Sequence, residues 1–145
     1  MNATSAAVTG AVTFTWLGMV LAISFLEAPL KFRAPGVTVP VGLGIGRLVF
    51  RALNLVEAVL ALTVIVTVAT GGPSTTVGVL TVVVSVLLAL QLVVVRPRLN
   101  RRSDRVLAGE DLPRSRGHLY YVALEVAKVL ALVGLGISVL AASAT

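Results

Sequence analysis

AVLALTVIVTVATGGPSTTVGVLTVVVSVLLALQLVVV, residues 58–95, decides the fold because it contains no Asp, Glu, Lys or Arg. A helix that crosses a bilayer needs about 20 apolar residues, so this run is long enough for two spans. The turn residues GGPST at 71–75 divide it near the middle. Residues 6–26 and 129–145 also lack charged side chains. The sequence therefore predicts an integral membrane protein.

The secondary structure follows from what a bilayer demands of the backbone. The apolar runs are rich in Val and Thr, but they lack the alternation of apolar and polar residues that transmembrane strands show. In lipid every peptide group needs a hydrogen-bond partner within the protein, so an unbroken apolar run forms a helix. The sequence predicts an all-α, single-domain four-helix bundle over residues 1–145. Its transmembrane helices are expected near residues 5–31, 46–70, 75–96 and 117–141.

The basic residues predict the orientation. Eleven of the 12 Lys and Arg residues flank the first and third connections between these helices. By the positive-inside rule, residues 97–116 form a cytoplasmic loop and both termini are extracytoplasmic in a multi-pass plasma-membrane protein. The net charge of +6 then indicates topology and affinity for anionic lipid headgroups. A nucleic-acid partner is not expected, because no soluble basic patch with interleaved aromatic residues is present.

The sequence also predicts the local structure of the two basic connections. Residues 33–46 are apolar and rich in Gly and Pro, so we expect them to lie at the membrane interface or to re-enter the bilayer as a lid. Within the hydrophilic third connection, residues 103–110 predict a short helix with Ser103 as its N-cap.

Two segments match each other. GRLVFRALNLVE, residues 46–57, and GHLYYVALEVAK, residues 117–128, share Gly, Leu, Ala and Leu at equivalent positions. The match pairs Glu57 with Lys128 at the same depth. It predicts two helical hairpins in the same orientation, related by an axis along the membrane normal, with the second and fourth helices as neighbours.

These segments carry the candidate binding and proton-carrying residues. At 100° per residue, each segment places its polar side chains on one side of its helix. An ionisable side chain near the bilayer centre costs at least about 2.5–3.5 kcal/mol, so each should face the interior and have a partner. Together with Glu27 of the first helix, the candidate site consists of Arg47, Arg51, Asn54, Glu57, His118, Tyr121, Glu125 and Lys128.

The expected contacts enclose a polar pocket that opens toward the cytoplasm. Glu27 is expected to pair with Lys31 four residues later, and Glu57 with Lys128 across the bundle. Either Arg51 or Tyr121 would bind Glu125. The alternative is that such polar pairs only hold the helices together, each contributing about 1 kcal/mol.

Most known site chemistry is excluded. The chain has no Cys, one His and two Met, and it lacks paired Glu-x-x-His motifs, a Walker loop, a dinucleotide fingerprint and a Ser-His-Asp set. We therefore expect no catalytic residue, metal or cofactor. The pattern favours a carrier or channel for a polar or anionic solute. An accessory or scaffold subunit of a larger membrane complex is the alternative, and an enzyme acting on lipid headgroups is the third hypothesis.

The small residues Gly134, Ser138 and Ala142 recur at four-residue spacing, which favours close helix contact within one chain, in a homodimer or in a larger membrane complex. The usage of Val, Ala and Arg is typical of GC-rich bacteria, so a bacterial inner membrane is the expected location.

Three short motifs resemble a known family. They are Trp-Leu-Gly at 16–18, Arg-Pro-Arg at 96–98 and the Arg-x-His start of the fourth helix at 116–118. They are similar to the uncharacterised four-helix membrane family that includes transmembrane protein 205. The resemblance implies the same four-helix architecture and no particular activity.

Overall fold

The computed structural model describes residues 1–110 and 117–144 of the chain. Within them, four helices are long and apolar enough to cross a membrane, which confirms the predicted all-α four-helix bundle. The helices are α1 (Ala3–Arg33), α2 (Val39–Thr70), α3 (Thr75–Leu107) and α4 (Gly117–Ser143).

Polar side chains begin the first three helices. Asn2 accepts a hydrogen bond from the Ser5 amide at 2.8 Å, and Thr38 and Ser74 accept from the amides three residues later, each at 3.3 Å. Such caps satisfy amides that have no partner within the helix. Gly72 has a φ of 67°, a left-handed conformation that favours glycine, and it completes the tight turn between α2 and α3.

The four helices form a ring in which each packs against two others. α1 and α3 both contact α2 and α4, so α2 and α4 lie diagonally across the bundle axis. The prediction that these two helices are neighbours is therefore wrong. Short connections make sequential helices neighbours, and an axis that relates one hairpin to the other places equivalent helices on a diagonal.

Two helix boundaries differ from the predicted ones. α2 begins at Val39, because Thr38 caps it and Pro40 lies in its first turn. Residues 34–38 alone connect α1 to α2, so the re-entrant lid over 33–46 is wrong. α3 continues through the predicted loop to Leu107, so Ser103 lies inside a helix and is not a cap. Residues 108–110 of the predicted loop follow the helix, and residues 111–116 lie outside the described residues.

A wide helical turn precedes a proline in both α1 and α3. Leu21–Glu27 and Gln91–Val95 are π-helical, and Pro29 and Pro97 follow two residues after each segment ends. In each case the residue before the proline donates its amide hydrogen to the carbonyl five residues earlier. The wider turn moves the chain away from the clash that a proline ring makes with a preceding carbonyl. Both helices therefore have a point at which they can bend.

The apolar core fills the half of the bundle that contains the termini. Trp16, Val20, Leu132 and Leu135 are almost completely buried there. On α4, a Cβ built at Gly134 would lie 3.5 Å from the Leu80 side chain of α3, so the small-residue face packs within the chain at this point. Many other Leu and Val side chains are exposed, as expected for a surface in contact with lipid.

Candidate functional site

A buried charge cluster lies on the axis of the bundle, and we define it as Glu57, Gln91, Glu125 and Lys128. The Lys128 ammonium donates to both carboxylate oxygens of Glu57, at 2.8 and 3.0 Å, and to the Gln91 side-chain oxygen at 2.8 Å. It also forms an ion pair of 2.6 Å with Glu125. Each of the four residues is at most 1% exposed. The predicted Glu57–Lys128 pair is confirmed.

Side chains from three helices bind Glu125. The Gln91 amide nitrogen donates to one oxygen of Glu125 at 3.2 Å, and the Ser24 hydroxyl donates to the other at 2.6 Å. Gln91 belongs to α3 and Ser24 to α1, so each carboxylate oxygen of Glu125 has a hydrogen-bond partner from outside α4. Because Glu125 precedes Lys128 by three residues, the two side chains leave the same face of α4.

The predicted partners of Glu125 are wrong. Arg51 is exposed, and it forms no contact with Glu125. Six positions separate Arg51 from Glu57, which turns it about 120° away around the helix. Asn54 is only partly buried and also lies outside the charge cluster. Tyr121 is buried, and its hydroxyl has no hydrogen-bond partner among the described residues.

Sequence reasoning missed two of the residues that bind Glu125. Gln91 interrupts the apolar run LLALQLVVV, and an amide in the middle of a transmembrane segment indicates a partner inside the bundle. That signal was present and identifies Gln91. Ser24 gives a weaker signal, because a serine in a transmembrane helix can bond to the carbonyl of its own preceding turn.

A cavity of about 810 Å³ leads from the charge cluster to the end where α1 and α3 terminate and α2 and α4 begin. We call this the basic end, since four cationic side chains line the cavity: Lys31, Arg47, Arg96 and Arg102. Glu125 also lines the cavity, so it contacts both the open space and Lys128.

Some of the predicted site residues line the cavity, some belong to the charge cluster, and others belong to neither. Arg47, His118, Tyr121 and Glu125 line the cavity. Glu57 and Lys128 lie behind it in the cluster, while Arg51 and Asn54 belong to neither. Glu27 forms the predicted pair with Lys31 at 3.8 Å, but it does not line the cavity.

Close approach of α1 to α2 shapes the cavity wall. A Cβ at Gly42 would collide with the Phe32 ring, and one at Gly46 would lie 3.0 Å from the Lys31 ammonium nitrogen. These two glycines of α2 therefore leave room for the side chains that end α1. Arg47, one residue later, forms an ion pair with Asp104 of α3 and closes the ring of helices at the basic end.

The charges of the two regions have opposite balance. In the cluster, two carboxylates share one ammonium, which leaves one excess negative charge when all three groups are ionised. The cavity wall carries four cationic side chains and one carboxylate, and two of these cations, Lys31 and Arg47, are paired with Glu27 and Asp104 outside the wall. A negative excess in low dielectric is costly unless a proton or a cation neutralises it. The arrangement is suited to holding an anion in the cavity and a proton in the cluster.

Among residues 1–110 and 117–144, no group of three or more His, Cys, Asp or Glu side chains has a geometry that could hold a metal ion. Comparisons with family models, with curated proteins and with solved structures found no match to this chain. The resemblance to the family that includes transmembrane protein 205 stays a prediction.

Proposed function

We propose that this chain is a membrane carrier that moves a small anion together with a proton. The observation that carries the proposal is the position of Glu125, which lines the cationic cavity and also binds Lys128 at 2.6 Å. An anion in the cavity and an ionised Glu125 repel each other across a short, poorly solvated distance. A proton in the cluster removes that repulsion, so each species favours the binding of the other.

The packing of the remaining half supports a carrier over an open channel. Trp16, Leu132 and Leu135 are at most 1% exposed and fill the bundle beyond the charge cluster. The cavity therefore does not continue through the bundle toward the end that contains the termini in this conformation. Passage to the other side requires a rearrangement, and the π-helical turns of α1 and α3 are the points where the helices can bend.

The carrier is oriented with its basic end in the cytoplasm, because Lys and Arg are retained on that side. The chain has no Cys, so a single introduced cysteine reports its own location. In intact cells, a membrane-impermeant maleimide should label Thr4→Cys and leave Arg105→Cys unlabelled until the membrane is permeabilised. Both residues are exposed to solvent or lipid in the fold. Labelling of the cysteine at position 105 in intact cells would show that the basic end faces outward and that the proposed orientation is wrong.

Transport is tested in proteoliposomes that contain a trapped pH-sensitive dye. The external solution contains one of four anions that remain charged and cross bilayers poorly: phosphate, sulfate, methanesulfonate or benzenesulfonate. For the wild type, we expect at least one anion to start proton entry. The Glu57→Gln variant should lower the initial rate at least about tenfold, because it removes a charged group from the proton-binding cluster. Its melting temperature should change little, since Lys128 retains Glu125 and the new amide still accepts its hydrogen bond.

Glu27→Gln is the matched control. The substitution is chemically the same, but Glu27 pairs with Lys31 near the basic end and has no contact with Lys128. Its transport rate should stay within about twofold of the wild type. If none of the four anions causes proton entry, or if Glu57→Gln transports as fast as Glu27→Gln, the carrier proposal is wrong and a scaffold role is favoured.

A further inference from the structure

Arg96 is the cation of the cavity wall with the most unusual surroundings. Its guanidinium lies in the corner formed by two aromatic rings, 4.7 Å from the centroid of Phe50 and 4.4 Å from that of Tyr121. The two rings meet edge to face at 5.8 Å. Because the two rings are almost perpendicular, the planar group cannot lie parallel to both of them, and the two cation–π contacts together hold it in place.

One N–H edge of the Arg96 guanidinium is unpaired within the described part of the chain. The Nε and Nη2 atoms of Arg96 are shielded from solvent, yet neither forms a hydrogen bond with another described residue. Lys31 and Arg47 on the same wall pair with Glu27 and Asp104, whereas no carboxylate of the described residues forms an ion pair with Arg96. Buried donors without acceptors are rare because each costs the free energy of its lost hydration.

The unpaired edge has the shape of an oxyanion site. Nε–H and Nη2–H point in the same direction and match two oxygens of a carboxylate, sulfonate or phosphate in a bidentate arrangement. Because the guanidinium is already immobilised by the rings, such a ligand would lose little binding free energy to ordering the side chain.

The rest of the cavity determines what the oxyanion is attached to. Phe25, Phe32 and Val122 are among the apolar side chains of the wall, and the volume of about 810 Å³ lies within the range of sites that hold small organic molecules. We propose that Arg96 binds the oxyanion head of an organic anion whose apolar body lies against these side chains. The physiological meaning of this site rests on the proposed carrier function, but its ligand chemistry is measurable without transport.

The probe is 4-fluorobenzenesulfonate, followed by fluorine NMR during titration of the purified full chain in nanodiscs of zwitterionic lipid. We expect saturable binding that 4-fluorobenzyltrimethylammonium, which has a similar ring and the opposite charge, does not show. Methanesulfonate, which has the head without the ring, should compete only weakly. Arg96→Leu should weaken binding about 10- to 100-fold, the loss expected when a charge-assisted hydrogen-bonding partner is removed.

Arg98→Leu is the matched control, since Arg98 lies two residues away on the same helix, is exposed and does not line the cavity. It removes the same charge and should leave the dissociation constant within about twofold. Arg96→Lys keeps the charge without the planar fork, so it should bind with intermediate affinity. This variant decides the question if Arg96→Leu does not fold.

An oxyanion with an apolar body can also come from the bilayer. Adding anionic phospholipid to the nanodiscs should weaken probe binding in competition if the natural ligand is a lipid headgroup, and should leave it unchanged if the ligand is a soluble anion. Equal binding by the wild type and Arg96→Leu, an equal loss in Arg98→Leu, or equal binding of the ammonium probe would overturn the proposal. Binding at Arg96 without any anion-dependent proton entry would retain this site and reject the carrier.

Discussion

Replacing Lys128 with leucine should lower the free energy of unfolding by about 3–5 kcal/mol, the cost of removing one partner from a buried ion pair. The reason is the asymmetry of the cluster. Glu57 and Glu125 both depend on this ammonium, at 2.8 and 2.6 Å, and their side chains are almost completely buried. Its loss leaves two carboxylates without a cation in the centre of the bundle. Chemical unfolding in mixed detergent micelles measures the effect.

Replacing one of the carboxylates with leucine should lower the free energy of unfolding far less. Glu57→Leu removes one of two carboxylates and leaves Lys128 paired with Glu125 and bonded to Gln91. The remaining charges balance, so the loss should be at most about 1–2 kcal/mol. Lys31→Leu is a further control, since this lysine pairs with a partly exposed Glu27 at 3.8 Å and such pairs contribute about 1 kcal/mol or less.

A triple variant tests whether the unpaired carboxylates cause the instability of Lys128→Leu. Lys128→Leu combined with Glu57→Gln and Glu125→Gln contains no charged group in the cluster, and it should recover most of the stability that Lys128→Leu loses. If Lys128→Leu is no worse than Lys31→Leu, the three charges do not meet in a low-dielectric interior.

The helices and the central ion pair could be predicted because each follows from a strong physical constraint. Uncharged runs such as 58–95 must form spanning helices, since lipid offers the backbone no hydrogen bonds. Glu57 and Lys128 lie too deep in their helices to reach water, so each requires a partner of opposite charge. The confirmed pair of 2.8 Å is the outcome of that requirement.

The remaining contacts depend on how the helices are arranged around the axis, which periodicity does not specify. The matched segments belong to diagonal helices, so Glu57 and Lys128 reach each other across the axis while shorter side chains do not. Arg51 is exposed on the outside of the bundle, and Glu125 is bonded by Ser24 and Gln91 instead.

The basic end was harder to predict for a different reason. Residues 97–107 are hydrophilic, and in a membrane protein that composition is typical of a loop. They continue α3 beyond the apolar run, where the ion pair of Arg47 with Asp104 joins the extension to α2. The contacts of Arg96 with Phe50 and Tyr121 join three different helices, so no local pattern in the sequence indicates them.

Glu125→Gln should separate anion binding from proton coupling. The amide keeps the size of the side chain and can still bond to Ser24, Gln91 and Lys128, so the fold and the cavity should persist. The substitution removes the negative charge that faces the cavity. Benzenesulfonate should therefore bind as tightly as to the wild type, or more tightly, because the like-charge repulsion is gone.

Proton entry coupled to the anion should nevertheless fall about 100-fold in Glu125→Gln, the size of effect that follows loss of a positioned proton-transferring group. Without Glu125, the cluster retains a balanced Glu57–Lys128 pair that has no excess charge for a proton to neutralise. Ser24→Ala is the control, since it removes one hydrogen bond of 2.6 Å from Glu125 and no charge, and it should retain at least a third of the rate. Parallel measurements of dye acidification in proteoliposomes and of probe binding in nanodiscs distinguish the two effects. Equal losses of binding and transport in Glu125→Gln would assign this residue to the anion site alone, and normal coupling would remove it from the proton pathway.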